Sequence, residues 1–404
     1  MSADRGSRDR IDLADAEVVD DHLHAFRTRE LLALDPAEFE TRLTLMGMCF
    51  MSSSHTSAGG DPALWEQAKR LTGSTVFSLA ARRWLAERLG CEPTGEAVSD
   101  ARHAAIRADP TGYVRGLLDD ERITGLITDE GFPLPSIPSA EFEAEAGGVP
   151  VHRVVRIEPI IDDLRQRAAS FAELEEAFEA ALDQAADDGR TVAYKSIIAY
   201  RTGLDVEPVT ASEAAAAFDR WRADGWSESR EHAKPVRDRL LDRALDVARR
   251  RDLVMHIHCG DGDPDIVLAR ARPHDLYPFL ARHLDQPIVL IHAGHPWSQV
   301  AGYIASLLPN VYVDLSVLLP WAASAVDQLL DGLLGMVPAA KLLYASDQAS
   351  EPEVLWISAR MARASLERVL GDAVDRDFLT ADEATSIGHG ILAGNTRRLH
   401  GLGE

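Results

Sequence analysis

Four short stretches of this chain end in side chains able to grip a metal ion: Asp21-His22-Leu23-His24, His256-Ile257-His258, Leu290-Ile291-His292 and Ala345-Ser346-Asp347. If the first is a strand, its side chains alternate in direction, so His22 and His24 leave one face together and can hold a single ion. Imidazole and carboxylate donors suit zinc, with manganese or iron as other options. A lone His-x-His pair is weak evidence, because hydrogen-bonded core histidines produce the same pattern. Matching histidines closing two later runs, and an aspartate closing another, turn the balance toward a metal centre. Lys195 belongs with them. It interrupts the apolar run Val192-Ala193-Tyr194-Lys195-Ser196-Ile197-Ile198, where a charged ammonium is costly to bury. Such a lysine either becomes a carbamate by reaction with carbon dioxide, pairs with a buried carboxylate, or binds substrate directly.

These side chains need elements that bring them to one place. Eight apolar, β-branched runs can be counted: Val18–Phe26, Ile123–Gly131, Val151–Pro159, Thr191–Tyr200, Leu253–Gly260, Pro287–Gly294, Val311–Val317 and Lys341–Asp347. Most are continuous rather than alternating, as in parallel strands buried on both faces. Amphipathic helical patterns lie between them, at Phe171–Asp188, Pro235–Arg251, Pro273–Asp285, Pro296–Leu308 and Glu351–Leu370. Three of these open with proline, which suits a first helical turn. The alternation predicts an α/β fold, a (β/α)8 TIM barrel, whose active site sits at the C-terminal ends of the strands. That is where the candidate ligands fall.

The stretch from Arg27 to Glu121 is far too long for a βα connection. We read residues 27–121 as a helical insertion after strand 1, within one barrel domain spanning 1–404. Its clearest helix is Thr75–Leu89, with Val76, Leu79, Ala80, Trp84 and Leu85 on one side, and Ser52–Asp61 is a loose Ser/Gly-rich segment.

Composition narrows the function. With 65 Asp+Glu against 42 Lys+Arg, a net charge of -23 repels phosphate backbones and argues against nucleic acid. Met1 to Asp15 is charged rather than apolar, and no stretch approaches the roughly 20 apolar residues that span a bilayer, so a soluble cytoplasmic protein with no membrane partner is expected. Cys49, Cys91 and Cys259 are odd in number and far apart, which suits neither a disulfide framework nor a thiolate zinc cluster. Trp221 and Trp226 would make a homo-oligomer contact if exposed, or else pack on the barrel.

The sequence resembles the amidohydrolase superfamily, in its amidohydrolase-related branch. The order His22-x-His24, Lys195, His258, His292 and Asp347 is the family's own. Segments Tyr194–Leu204 and Gly260-Asp261-Gly262-Asp263, and Tyr344–Asp347 with Pro352-Glu353, are similar to the hydrolase half of glutamine-synthetase fusion proteins. The resemblance implies a centre of one or two ions: His22, His24 and Asp347 on the buried one, His258 and His292 on the exposed one, Lys195 bridging. It implies a metal-activated water and Asp347 as acid/base, with His292 beside it as a catalytic candidate. His256 stands where relatives often carry Gln, as a hydrogen-bonding neighbour of the ligands or as a ligand itself. His295 stands where an aromatic is common.

The expected activity is hydrolysis of an amide or related C–N bond in a small molecule. Arg156, Glu158, Arg201, His295 and Asp129 are the substrate-binding candidates, and the arginines favour a carboxylate-bearing substrate such as a γ-glutamyl amide. Arg156 and Glu158 equally suit a buried pair within the barrel. Asp314 and Ser316 either line the pocket or serve as local hydrogen-bonding groups. The alternative activity, from the same branch, is nonoxidative decarboxylation of an aromatic or related carboxylic acid.

Overall fold

The computed structural model describes residues 11–47, 62–133, 135–227, 229–349 and 351–403. The first ten residues, Cys49 and the Ser52–Asp61 segment lie outside them.

Eight strands form one parallel sheet in sequential order: β1 (Val18–Leu23), β2 (Ile123–Asp129), β3 (Val151–Arg156), β4 (Thr191–Ser196), β5 (Val254–His258), β6 (Ile288–Ile291), β7 (Val311–Asp314) and β8 (Leu342–Leu343). Each of the eight sequence runs contains one of them. Regular pairing stops short of several predicted ends. β8 keeps only two residues, and the chain beyond it meets β1 through single hydrogen bonds: the Asp21 N–H donates to the Tyr344 carbonyl (3.0 Å), Asp347 N–H to His22 (3.0 Å) and His24 N–H to Gln348 (2.7 Å). These bonds close the barrel between its first and last strands and bring His22, His24 and Asp347 side by side.

β3 also ends early. A helix begins at Ile157 (Ile157–Leu164), so Glu158 lies in its first turn rather than at a strand end. Inside the barrel, Ile127, Val154, Val192, Ala193, Val254, Val289 and Leu343 make a compact apolar layer. Ala193 precedes Lys195 by two residues and Val254 precedes His256 by two, so the apolar layer lies below the polar one, as the alternation of a strand requires. The C-terminal segment seals this layer from the opposite end. Leu399 and Leu402 pack against it, while Arg397 reaches Glu17 (2.6 Å) and Thr124 (2.9 Å) near the starts of β1 and β2.

Between β1 and β2 the described chain is helical: Pro36–Arg42, Pro62–Thr72, Val76–Leu89, Gly95–Ala108 and Pro110–Asp120, after a short turn at Thr28–Ala33. Local chemistry sets several ends. Thr75, Thr94 and Asp109 each cap a helix by accepting from the third N–H beyond, and Gly90 stops Val76–Leu89 in the left-handed region (φ 67°). The buried face of Val76–Leu89 is Phe77, Ala81, Leu85 and Ala86, whereas Val76 and Leu79 are exposed. The expected face is therefore displaced by about one residue, with Phe77, Ala81 and Ala86 buried in place of Val76 and Leu79.

The other helices form within a few residues of expectation: Phe171–Ala186, Arg230–Arg251, Pro273–Arg282, Ser298–Leu307 and Pro352–Asp375. Pro273 opens its helix as expected, but Pro235 lies inside one and Pro296 precedes one. Trp221 is buried and meets Trp226 edge-on at 5.3 Å, so the pair packs within the chain. Among the described residues no helix is long and apolar enough to cross a membrane.

Candidate metal centre

Strand ends deliver His22, Lys195, His258 and Asp129, and the turns just past β1, β6 and β8 deliver His24, His292 and Asp347; all seven side chains are buried. Around Asp347 the donors are close: His22 Nε2 is 3.3 Å from Oδ1, His24 Nε2 is 3.8 Å from Oδ1, and His292 Nδ1 is 3.9 Å from Oδ2. These separations approach the edge of a tetrahedral site, about 3.3 Å when ligands sit roughly 2.0–2.1 Å from a first-row ion. His292 Nε2 lies 3.1 Å from His258 Nδ1, so His258 joins the group through His292. Two tight sets of three donors share His22: one with His292 and Asp347, the other with His24 and Asp129.

Burial holds the imidazoles neutral. It pushes His24 down to about 3, and His22, His258 and His292 well below the usual histidine range. Burial also raises Asp347 to about 6, against the opposing pull of His24 and Lys195. Neutral rings can offer lone pairs to a cation without first losing a proton. His22 Nδ1 and His258 Nε2 have no hydrogen-bond partner among the described residues, an unmet demand in a buried site that ligand chemistry can satisfy. The donor set therefore fits a divalent ion.

Lys195 donates toward Asp129 Oδ2 at 2.9 Å, and its Nζ is 2.9 Å from His22 Nε2. Of its three sequence-level alternatives, this contact is the pairing with a buried carboxylate. Burial lowers the Lys195 pKa, partly opposed by Asp129. Asp129 also receives Arg156, at 2.6 Å from NH2 and 3.2 Å from Nε. Its own burial would raise its carboxyl, but Arg156, Lys195 and His24 outweigh that and hold it well below the usual carboxylate range.

Sequence reasoning placed Asp129 with the substrate-binding residues; the fold seats it among the metal-type donors. Its signal was available, since it closes β2 much as His258 closes β5. Arg156 pairs with Asp129 and not with Glu158. Glu158 accepts from Ser196 Oγ (2.7 Å) and the Ile197 N–H (2.9 Å), fixing the end of β4 beside Lys195. Arg201 ends the short helix Ile198–Arg201 and is half-buried, as is His295, beyond β6.

Two further features position the ligands. Asp314 Oδ1 accepts from the His292 N–H (2.7 Å) and from Ser316 Oγ (2.6 Å), and Ser316 Oγ meets His292 Nδ1 at 2.8 Å. Asp314 thus acts as a local acceptor, the second of its two readings. The Gly260–Asp263 turn packs closely: a Cβ on Gly262 would come within 1.9 Å of Tyr200 Oη and 2.9 Å of His258 Nε2, and Tyr200 Oη accepts from the Asp263 N–H (2.9 Å). Tyr200 escaped the sequence reading, because nothing in the spacing tied it to that turn. His292 and Asp347 both adopt positive φ (65° and 52°), a conformation costly for side-chain-bearing residues and found most often where geometry serves function.

The parallel eight-stranded barrel carries these donors at its C-terminal mouth, where barrel enzymes place their active sites. Residues 163–402, more than half of the chain, match the amidohydrolase family (Amidohydro_2), and the chain belongs to it. It is 29% identical over 337 residues to protein fluG of Emericella nidulans, matching 76% of this chain and 39% of that protein; the chain thus spans well under half the length of that relative. A candidate metal-dependent hydrolase from Lactobacillus casei has the same fold, with TM-score 0.80, 23% identity, and 97% of this chain and 98% of that chain covered. Uronate isomerase from Thermotoga maritima shares it more distantly, with TM-score 0.68, 16% identity and coverage of 96% and 95%.

The Asp314 contacts make a first expectation. Asp314→Ala should weaken divalent-metal binding by about 10–100-fold, the usual effect of removing a group that orients a ligand. Equilibrium dialysis against zinc measures it; unchanged affinity would show that His292 is held by other contacts.

Proposed function

We propose that the chain hydrolyses an amide or related C–N bond of a small, carboxylate-bearing molecule, with a γ-glutamyl amide as the leading candidate. The observation that carries this reading is Asp347: its carboxylate faces His22, His24 and His292 within 3.9 Å. A carboxylate so placed, beside the water that the ion would hold, can accept a proton and return it within one turnover. His22, His24 and Asp347 would hold one ion, with Asp129 adjoining, and His258 and His292 a second; zinc is the favoured metal, with manganese or iron as alternatives. The ion would supply Lewis acidity and lower the pKa of a water molecule.

The protein's own groups do the rest. Asp347 takes the proton from the attacking water and passes it to the leaving nitrogen, and His292, held by Asp314 and Ser316, stays beside it without rotating. Lys195 either keeps its ammonium against Asp129 or, as a carbamate, would help to hold the ions; its lowered pKa favours the free amine that carbamate formation requires. Arg201 and His295, half-buried beyond β4 and β6, are assigned to the substrate's carboxylate and polar groups. Fluorescence or mass readout of an amide panel that includes γ-glutamyl amides tests the reading. Hydrolysis should vanish on chelation and return with added zinc, manganese or iron. Carbon dioxide release from a benzoate-type acid, with every amide left intact, would instead make the chain a decarboxylase.

A further inference from the structure

A second group of metal-type side chains lies in the barrel, away from Asp347. Asp21, on β1, meets His400 from the C-terminal segment: His400 Nε2 is 2.8 Å from Asp21 Oδ1. His256, on β5, approaches from across the barrel, with Nε2 at 3.8 Å from Asp21 Oδ2 and its ring 5.3 Å from that of His400. The three offer donor atoms all within 4.8 Å of one another. All three side chains are fully buried, at 0% exposure.

Among the described residues, neither ring nitrogen of His256 has a hydrogen-bond partner, nor has Asp21 Oδ2 or His400 Nδ1. A buried imidazole with both nitrogens unmet is costly, since each has given up its hydrogen bonds to water without replacement. Hydrogen bonding within the cluster accounts for one contact only, the one between His400 and Asp21.

We propose that Asp21, His256 and His400 form a second, enclosed site for a first-row divalent cation of the zinc type. Two imidazoles and one carboxylate make a zinc-type donor set. The 2.8 Å and 3.8 Å separations bracket the edge of about 3.3 Å expected between ligands roughly 2.0–2.1 Å from such an ion. The ion gives the unmet His256 Nε2 and Asp21 Oδ2 a common partner. Its role follows from where the ligands come from. β1 and β5 stand on opposite sides of the barrel, and His400 enters from the end sealed by Leu399 and Leu402. The cation therefore ties the C-terminal segment to β1 and β5 in the barrel interior. This site does not depend on the proposed hydrolysis, since none of its three residues is among the ligands assigned to that reaction.

Zinc chloride alone is the probe. Metal-free protein, refilled with a small excess of zinc and dialysed, should retain one equivalent per chain more than His400→Ala or His256→Gln. Zinc-edge anomalous diffraction from the wild-type protein should show a peak bonded to Asp21, His256 and His400, which keeps the test decisive even if a variant fails to fold. Equal zinc content in wild type and variants, or no peak there while the upper centre is filled, overturns the proposal and leaves an ordered water as the occupant. A lower peak with an empty upper centre supports this site and counts instead against the proposed function.

Discussion

Asp347→Asn is expected to cut the rate of amide hydrolysis by at least about 10^3-fold, the range for losing a positioned acid/base, equivalent to about 4 kcal/mol of barrier. The substitution keeps size and one acceptor oxygen but cannot carry a proton between water and leaving group. It also gives up negative charge facing His22, His24 and His292, which lie 3.3 to 3.9 Å away. The loss should therefore fall on kcat, with weaker metal retention as a second effect. Kinetics at saturating metal separates the two. A variant within tenfold of wild type under those conditions would remove Asp347 from the proton pathway and leave it as a ligand alone.

The second large effect concerns stability. Glu353→Gln is expected to destabilise the protein by about 3–5 kcal/mol, the usual result of stranding one charge of a buried pair. Glu353, in the Pro352–Asp375 helix, accepts from Arg102 Nε (2.5 Å) and Tyr113 Oη (2.7 Å), both from helices between β1 and β2, and neither Arg102 nor Glu353 is exposed. Arg102 also lies over the Phe39 ring at 4.2 Å. These contacts fasten the helices after β1 to the helix after β8. Glutamine can still accept from either partner, so a large loss would report the charge and not the packing. Urea unfolding measures it, and a shift below about 1 kcal/mol would mean that Arg102 finds solvent or another anion.

Much of the fold was legible because most strands lie in largely apolar, β-branched runs that close in polar side chains. That pattern fixes both the element and the end of it that carries chemistry. Strand ends were less legible. Residues 344–348 bond to β1 only intermittently, so an apolar run does not reveal where regular pairing stops. The break at Arg156 was hidden for a related reason: Ile157 suits a strand as well as a helix start, and Glu158 was read on the wrong element.

The site divides in the same way. His22, His24, Lys195, His292 and Asp347 were recoverable from strand position and family order. Asp129 was noticed, but its place against Lys195 depends on how β2 and β4 face one another across the interior, and no local pattern encodes that. His256 is the sharpest case. Its neighbour His258 made it look like an accessory to the upper centre, whereas its approach is to Asp21 and to His400, from the last turn of the chain. Helix faces failed where packing rather than hydrophobicity decides, as with exposed Val76 and buried Ala81.

The central claim is that side chains distant in sequence meet around a divalent ion at the barrel mouth. Metal content per chain, compared between wild type and a His22→Ala/His24→Ala double variant prepared together, tests it most directly. At least one equivalent should be lost with the two histidines. A folded double variant that keeps the full wild-type complement would contradict it.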